Sequence, residues 1–153
     1  MFHYPHNHVE IRDAVAKLCT DFDGKYWQVC DADRAYPSAF VKALTGAGYL
    51  SALIPEEYGG LSLPISAGAA ILEEIHRSGG NAAACHAQMY TMGTVLRHGS
   101  DAQKQQYLPS IADGSLRLQA FGVTEPTSGT DTTALRTTAR RDGDDYVVNG
   151  QKV

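Results

Sequence analysis

Apolar side chains recur every three or four positions through most of the chain, which is the spacing of amphipathic helices. Between Val9 and Phe22 the apolar positions Ile11, Val15 and Leu18 are separated by charged and small residues. This pattern predicts a first helix over Val9 to Phe22.

Residues typical of helix ends predict four further helices. Proline favours the first turn of a helix and glycine its end, and Ser100 with Gln103 has the spacing of a capping box. Pro109 is expected to kink or split the last helix, because its ring removes one backbone donor. The helices are predicted from Pro37 to Gly46 or Gly48, from Pro64 to Gly79, from Asn81 to Gly99 and from Ser100 to Gly114, with a loop from Tyr49 to Leu63.

Beyond Gly114 apolar residues recur at every second position instead of every third or fourth. Leu116, Leu118 and Ala120 occupy alternate positions, which predicts a first strand. Threonine favours strands, and Asn-Gly favours a tight hairpin turn. The remaining predicted elements are a strand containing threonines 132, 133, 137 and 138, a turn at Asp142 to Asp144, a strand at Tyr146 to Val148 and a turn at Asn149-Gly150.

The predicted sheet is incomplete. A hairpin needs a return strand, but only Gln151, Lys152 and Val153 follow the last predicted turn. Because a ribbon of two or three strands is marginal in water, we expect the chain to be cut inside a β domain with open sheet edges. The sequence thus predicts a mostly α fold, with a helical domain over residues 1–114 and the start of a β domain over 115–153.

Composition excludes several functional classes. The 153 residues are 43% hydrophobic and 20% charged, which fits a folded domain, and a net charge of −4 argues against nucleic-acid binding. No apolar run is long enough for a membrane span and no export signal is evident, so we expect a cytoplasmic protein. Three widely spaced cysteines suit a reducing compartment and are interpreted as small buried side chains. His3, His6 and His8 are close in sequence, but we interpret them as imidazoles at a chain end and predict no metal site.

The segment from Phe121 to Asp131, called the TEP loop below, reads F-G-V-T-E-P-T-S-G-T-D. Pro126 ends strand pairing, and Gly129 permits close approach of the main chain to a partner. Its hydroxyl and N–H groups are suited to line a flat polar ligand. Glu125 is a candidate general base, but a carboxylate that fixes neighbouring N–H groups is the favoured interpretation. The alternative for the whole loop is an ordinary proline-bounded strand exit.

The TEP loop, followed by Thr137 to Lys152 (T-T-A-R-R-D-G-D-D-Y-V-V-N-G-Q-K), resembles the flavin-binding stretch of the acyl-CoA dehydrogenase family. Ile54 to Gly60, Leu72 to Glu74 and Gln103 to Gly114 resemble other family segments, in family order. Several motifs that keep the order and spacing of a family indicate that family more specifically than the single tripeptide Thr-Glu-Pro does. Where many relatives carry Ala-Gly-Ser-Asp, this chain has Ser-Gly-Thr-Asp, and the added methyl of Thr130 would narrow the site.

The resemblance implies an N-terminal orthogonal bundle of about five helices, followed by the beginning of an antiparallel β-barrel domain that binds FAD. It implies that Phe121, Val123 and Thr124 contact the flavin. Gly129 and Thr130 would lie near the cofactor chain or the acyl-CoA thioester, so Thr130 is also a candidate substrate-binding residue. The family's catalytic base belongs to a C-terminal helical domain, and its Trp-Ile-Thr segment is expected directly after Val153, so no catalytic residue is assigned in this chain.

The resemblance also implies an activity for the whole enzyme. It would desaturate an acyl-CoA between its α and β carbons, transfer hydride to FAD and pass electrons to an electron-transferring flavoprotein. We expect a homo-oligomer, and uncovered faces lead us to expect self-association of this chain. Two alternatives remain. One is a two-component flavin-dependent monooxygenase of the same fold. The other is a non-catalytic remnant or helical interaction module whose open sheet edge pairs with another chain.

Overall fold

The computed structural model describes residues 7–153 and divides them into two compact units, the first ending at Gln119 and the second running from Ala120 to Val153. The first unit is helical and the second contains a two-stranded antiparallel sheet. A mostly α fold with the beginning of a β domain is therefore confirmed, whereas the predicted domain boundary after residue 114 stays a prediction. The helices of the first unit are α1 (Val9–Cys19), α2 (Gly24–Ala32), α3 (Ser38–Gly46), α4 (Ile65–Arg77), α5 (Ala83–His98) and α6 (Asp101–Ala112).

A side-chain cap fixes the beginning of α6 as the sequence predicts, whereas the N-cap residue of α5 is Ala82, one residue after the predicted Asn81, and has no side-chain cap. The Asn81 side chain accepts a hydrogen bond from the N–H of Ala83 at 2.8 Å. At α6 the Ser100 hydroxyl accepts from the N–H of Gln103 at 3.3 Å, and the Gln103 side chain accepts from the N–H of Ser100 at 2.9 Å. These reciprocal bonds satisfy donors that a helix terminus would leave unpaired.

Helix α2 was missed by the sequence analysis, and α1 ends earlier than predicted. Asp23 begins α2 by accepting from the N–H of Tyr26 at 3.0 Å. None of its residues is fully buried, so its apolar stripe is weak. Tyr26 and Trp27 instead pack edge-to-face against Phe22 and Phe40, with ring centroids 4.8 to 5.2 Å apart. Contacts within this aromatic cluster thus hold α2 in place, although its apolar residues show only weak helical periodicity.

Pro109 lies inside α6 and does not split it. The helix continues through Ala112, with Leu108 and Ile111 fully buried on either side of the proline. Apolar burial of those two side chains outweighs the loss of one backbone hydrogen bond, since each buried aliphatic side chain contributes about 1.5–3 kcal/mol.

The core of the first unit lies between α1, α3, α4, α5 and α6 and includes two of the three cysteines. Cys19 and Cys85 are buried, Cys30 is half-buried, and all three are free thiols. Burial is the main reason that the pKa of Cys85 is raised to about 12, which makes this thiol unreactive at neutral pH. The interpretation of Cys19 and Cys85 as small apolar side chains is confirmed.

Polar contacts join α1 to α4 at the edge of this core. The Arg12 guanidinium lies 2.6 Å from the Glu73 carboxylate and 3.8 Å from that of Glu74, which is buried. His8, which precedes α1, lies within 2.9 Å of the Ser66 hydroxyl. His3 and His6 lie outside the described residues.

The connection between α3 and α4, predicted as a loop, contains two short 3₁₀ turns at Tyr49–Ser51 and Glu56–Tyr58. It folds back on itself, because the N–H groups of Ser62 and Leu63 donate to the carbonyls of Ile54 and Ala52 at 2.9 and 2.8 Å. Within residues 7–153 no helix combines the length and apolarity needed to cross a bilayer.

The second unit contains β1 (Thr138–Asp142) and β2 (Asp145–Asn149), paired antiparallel from Thr138 opposite Asn149 to Asp142 opposite Asp145. The turn at Gly143 and Asp144 is as predicted, and Gly143 has the positive φ of 65° that such a turn uses. Residues 132–134, predicted to be in a strand, form a 3₁₀ turn capped by the Asp131 side chain.

Two further strand-related predictions are wrong. Residues 116–120 form no strand, because Leu116 and Leu118 pack against the helical core. Asn149-Gly150 forms no hairpin turn, because the chain continues along the TEP loop, where the N–H of Val153 donates to the carbonyl of Thr124 at 2.9 Å.

Replacement of Gly60 by alanine should destabilise the helical unit. A Cβ at this position would lie 2.1 Å from the carbonyl oxygen of Ile54 and 2.4 Å from its Cβ, so the backbone must move. We expect Gly60→Ala to lower the free energy of unfolding by about 2 kcal/mol or more, as overpacking does. Urea denaturation followed by circular dichroism measures this change.

Gly46→Ala is the matched control, because nothing lies within 4 Å of a Cβ built at Gly46. We expect it to be neutral or to stabilise by about 0.4–1 kcal/mol, since alanine reduces the entropy of the unfolded chain. Equal stabilities for the two variants would contradict the tight approach of Gly60 to Ile54.

Candidate functional site

The TEP loop is fixed by the buried carboxylate of Glu125, which is 5% exposed. One oxygen accepts from the N–H of Arg136 at 2.6 Å, and the other from the N–H of Thr137 at 2.9 Å. The Lys152 ammonium lies 2.9 Å from the second oxygen. One carboxylate thus joins the loop to the chain entering β1 and to the chain leaving β2.

These donors stabilise the ionised form of Glu125. The Thr137 side chain, the Arg136 N–H, the Lys152 ammonium and the Thr137 N–H together lower the pKa of Glu125 from 4.5 to about 2. A carboxylate with so low a pKa is a poor general base at neutral pH, because proton abstraction is most efficient when the pKa lies near the working pH. The interpretation of Glu125 as a group that fixes neighbouring N–H groups is confirmed.

A tight turn follows Glu125. The N–H of Glu125 donates to the carbonyl of Ser128 at 2.9 Å, and the N–H of Ser128 donates to the carbonyl of Glu125 at 3.1 Å. The Ser128 hydroxyl donates to the carbonyl of Asp131. The Asp131 carboxylate in turn accepts from the N–H and the hydroxyl of Thr133, and these bonds lower its pKa. The loop therefore closes through its own polar groups.

The last residues of the chain support the other end of the loop. Lys152 donates to the carbonyl of Val123 at 3.0 Å, beside the Val153 bond to Thr124. Gly150 approaches Thr137 so closely that an added Cβ would lie 2.1 Å from the Thr137 hydroxyl oxygen. Lys152 of the N-G-Q-K motif therefore contacts the TEP loop directly, whereas Gly150 contacts Thr137, which donates to Glu125 of the loop.

The sequence analysis assigned ligand contacts to five residues, all of which the structure brings together in the TEP loop. Val123 is half-buried and the other four are exposed, with Phe121 60% exposed. Whether these residues contact a flavin stays a prediction. The five are Phe121, Val123, Thr124, Gly129 and Thr130.

The geometry of these residues fits a flat polar ring. In the hydrogen-bond network of residues 7–153, the N–H and hydroxyl groups of Thr124 and Thr130 donate to no protein acceptor. Nothing lies within 4 Å of a Cβ built at Gly129, so there is space beside the main chain. Free donors, an exposed phenyl ring and open space are the features that a planar cofactor requires from its protein.

The supporting residues of the loop were missed by the sequence analysis. Arg136, Thr137 and Lys152 hold Glu125, yet the sequence gives them no chemical signature of their own. The motif spacing could have indicated these supporting residues, because Thr-Glu-Pro and Asn-Gly-x-Lys occur in the same segment of the family. Contacts between residues 125 and 152 require the intervening hairpin to close first.

A separate cavity of about 210 Å³ lies in the helical unit between α4 and α5. Its lining is mostly apolar and includes Leu53, Leu72 and Met89, with His86 and Tyr90 stacked edge-to-face at 5.0 Å on one wall. Met92, on the same helix as Met89, is a fully buried core residue. No group of three potential metal ligands occurs in the part of the chain that the structure describes.

Acidification should weaken the second unit through Glu125. The folded pKa of Glu125 lies below the unfolded value of 4.5, so the stabilisation by the ionised carboxylate is complete above that pH and is lost as the pH falls towards 2. We expect Glu125→Gln to be less stable than the wild type at pH 7, and the difference to shrink by pH 2. Thermal unfolding monitored by NMR signals of β1 and β2 measures this.

The exposed Glu57 provides a matched control, since Glu57→Gln removes the same charge from the helical unit. It should leave the signals of β1 and β2 unchanged at every pH. A constant stability difference between Glu125→Gln and the wild type from pH 7 to pH 2 would contradict the role assigned to the ionised carboxylate.

Comparison with known proteins agrees with this architecture. The family described as "Acyl-CoA dehydrogenase, N-terminal domain" matches residues 5–115. The chain is 34% identical over 144 residues to acyl-CoA dehydrogenase FadE12 of Mycobacterium tuberculosis, covering 94% of this chain and 37% of that protein.

Solved structures show the same similarity. A glutaryl-coenzyme A dehydrogenase in complex with glutaryl-CoA superposes with a TM-score of 0.82 at 28% identity, over 99% of this chain and 40% of the other. An acyl-CoA dehydrogenase from Bacillus anthracis complexed with FAD superposes with a TM-score of 0.72 at 29% identity, over 97% and 27%. The chain spans less than half the length of these relatives. It belongs to the acyl-CoA dehydrogenase family.

Proposed function

We propose that this chain supplies the helical domain and the first part of the flavin site of an FAD-dependent acyl-CoA dehydrogenase. The observation that carries the proposal is the TEP loop, whose backbone is fixed by Glu125 while donors of Thr124 and Thr130 are free of protein acceptors. The family membership supports the same function. The relative from Bacillus anthracis was solved with FAD, which supports this cofactor for the chain described here.

In this proposal Phe121, Val123 and Thr124 hold the flavin. When bound, FAD supplies the hydride acceptor for oxidation of an acyl-CoA between its α and β carbons. The N–H and hydroxyl of Thr124 donate hydrogen bonds to the polar edge of the ring, where negative charge accumulates. Because Glu125 already fixes the neighbouring backbone, these donors need no reorganisation during the reaction.

Gly129 and Thr130 form the second part of the proposed site. The open space beside Gly129 allows the cofactor chain or the substrate thioester to approach the backbone. Thr130 donates through its hydroxyl or N–H to the same group. Its methyl group adds bulk beside this opening that a serine would not have.

Proton abstraction from the substrate is not assigned to this chain. The backbone and ammonium donors of Glu125 and its pKa of about 2 make it a poor base. The family resemblance places the base in a C-terminal helical domain and makes an electron-transferring flavoprotein the electron acceptor. Free thiols at Cys19, Cys30 and Cys85 agree with the reducing conditions of a cytoplasm.

Titration of the 153-residue chain with FAD, followed by NMR, tests the proposed site. We expect chemical-shift changes in the amides of residues 121–130 and weak binding that does not survive gel filtration. Thr124→Val removes the hydroxyl but keeps the shape, so it should weaken binding by about three- to tenfold, as loss of one hydrogen bond does. Thr124→Ser keeps the hydroxyl and should bind FAD nearly as well as the wild type.

Two results would contradict the proposal. One is a set of FAD-dependent shifts that excludes residues 121–130, and the other is equal weakening by Thr124→Val and Thr124→Ser. We also expect an acyl-CoA to leave the flavin of this chain oxidised under anaerobic conditions, because the base is not among its residues. Bleaching of the flavin absorbance would show that a base is present.

A further inference from the structure

The Lys152 ammonium has two acceptors in the TEP loop. It lies 2.9 Å from the Glu125 carboxylate and donates to the carbonyl of Val123 at 3.0 Å. The Lys152 side chain is 31% exposed and that of Glu125 is 3% exposed, so the ammonium is partly shielded from water. A charged donor makes a stronger hydrogen bond than a neutral one, and shielding preserves that strength. The bond to Val123 is therefore a substantial contact in its own right.

Two further contacts keep Lys152 beside Val123. A Cβ built at Gly122 would lie 3.4 Å from both Cβ and Cγ of Lys152, so the lysine stem passes directly beside the main chain. The next residue, Val153, donates its N–H to the carbonyl of Thr124 at 2.9 Å. Ammonium, stem and neighbouring backbone thus all contact the same stretch of the loop, which limits movement of the ammonium away from the Val123 carbonyl.

The peptide unit between Val123 and Thr124 connects this bond to the proposed flavin site. The unit is trans, and in a planar trans peptide the C=O and the N–H point in opposite directions. Because the Val123 carbonyl points to Lys152, the N–H of Thr124 points away from it. Within residues 7–153 that N–H donates to no backbone or side-chain acceptor. The bond from Lys152 therefore fixes the direction of a free donor.

We propose that Lys152 is a positioning residue for the flavin, an inference that rests on the function proposed above. By holding the carbonyl of Val123, its ammonium orients the N–H of Thr124 toward the polar edge of the ring. Its positive charge also polarises the peptide unit, which makes this N–H a stronger donor, because hydrogen bonds in a chain strengthen one another. Lys152 thus acts on the ring through one peptide unit, and the donor is oriented before the cofactor binds.

A purely structural role for Lys152 would need only its contact with Glu125. That carboxylate already accepts from the N–H groups of Arg136 and Thr137 at 2.6 and 2.9 Å. An ammonium has three donors, so Lys152 can serve Glu125 and Val123 at the same time. The two roles predict different effects. Loss of the structural contact loosens the hairpin, whereas loss of the bond to Val123 changes the Thr124 amide and the affinity for FAD in a folded hairpin.

Lys152→Met tests the positioning role, because methionine keeps an unbranched stem but has no donor. In the FAD-free 153-residue chain, we expect the amide ¹⁵N signal of Thr124 to move. On titration with FAD, the shift of the Thr124 amide proton should become smaller and the affinity should fall by about threefold or more, as loss of a hydrogen bond does. Lys152→Arg keeps a cation with several donors and should restore both the signal and the affinity.

Arg140→Met is the matched control, because it removes a cation of β1 whose side chain is 73% exposed. It should leave the Thr124 signal and the affinity for FAD unchanged. NMR signals of β1 and β2 report for each variant whether the hairpin is folded. In the wild type, a scalar coupling across the hydrogen bond from Nζ of Lys152 to the carbonyl carbon of Val123 tests the contact without any substitution.

Three results would overturn the positioning role while FAD still shifts residues 121–130 of the wild type. They are equal FAD affinities of Lys152→Met and Arg140→Met, an affinity of Lys152→Arg as weak as that of Lys152→Met, and absence of the coupling to Val123. A wild type whose residues 121–130 do not respond to FAD would instead contradict the proposed function, and the positioning role with it.

Discussion

The second unit depends on a single buried carboxylate. Glu125 receives two backbone N–H groups from the segment before β1 and the ammonium of Lys152 after β2. The unit has only two strands and its strand residues are all exposed, so apolar burial contributes little to it. Charge-assisted hydrogen bonds therefore replace a hydrophobic core, and they do so at the segment proposed to face the flavin.

Within the TEP loop, the groups that hold the backbone in place differ from the groups proposed to bind the ligand. The carbonyls of Val123 and Thr124 are engaged by Lys152 and Val153, whereas the donors of Thr124 and Thr130 remain without protein acceptors in the described residues. Rigid backbone with free donors is the condition for preorganised electrostatic stabilisation. The helical unit differs, because a cluster of aliphatic and aromatic side chains, which includes two buried thiols, stabilises it.

The sequence predicted those elements that are determined by residues close to them in the chain, such as helix caps and turn residues. Helix α6 begins where Ser100 indicates, α5 begins within two residues of Asn81, and the Gly143 turn lies where Asp-Gly-Asp places it. Elements that depend on tertiary packing were not predictable: α2 rests on aromatic contacts with Phe40, and residues 116–120 alternate in polarity but pack on helices. Likewise, motif order located the candidate site, but only the folded hairpin shows that Lys152 reaches Glu125.

We conclude that Glu125 is an ionised structural anchor of the TEP loop. The most direct measurement is a titration of its side-chain carboxyl carbon by ¹³C NMR in the 153-residue chain. The account predicts a pKa near 2, with the amide signals of Arg136 and Thr137 changing in the same pH range. A pKa near 4.5, or amide signals that do not follow the carboxyl titration, would contradict it.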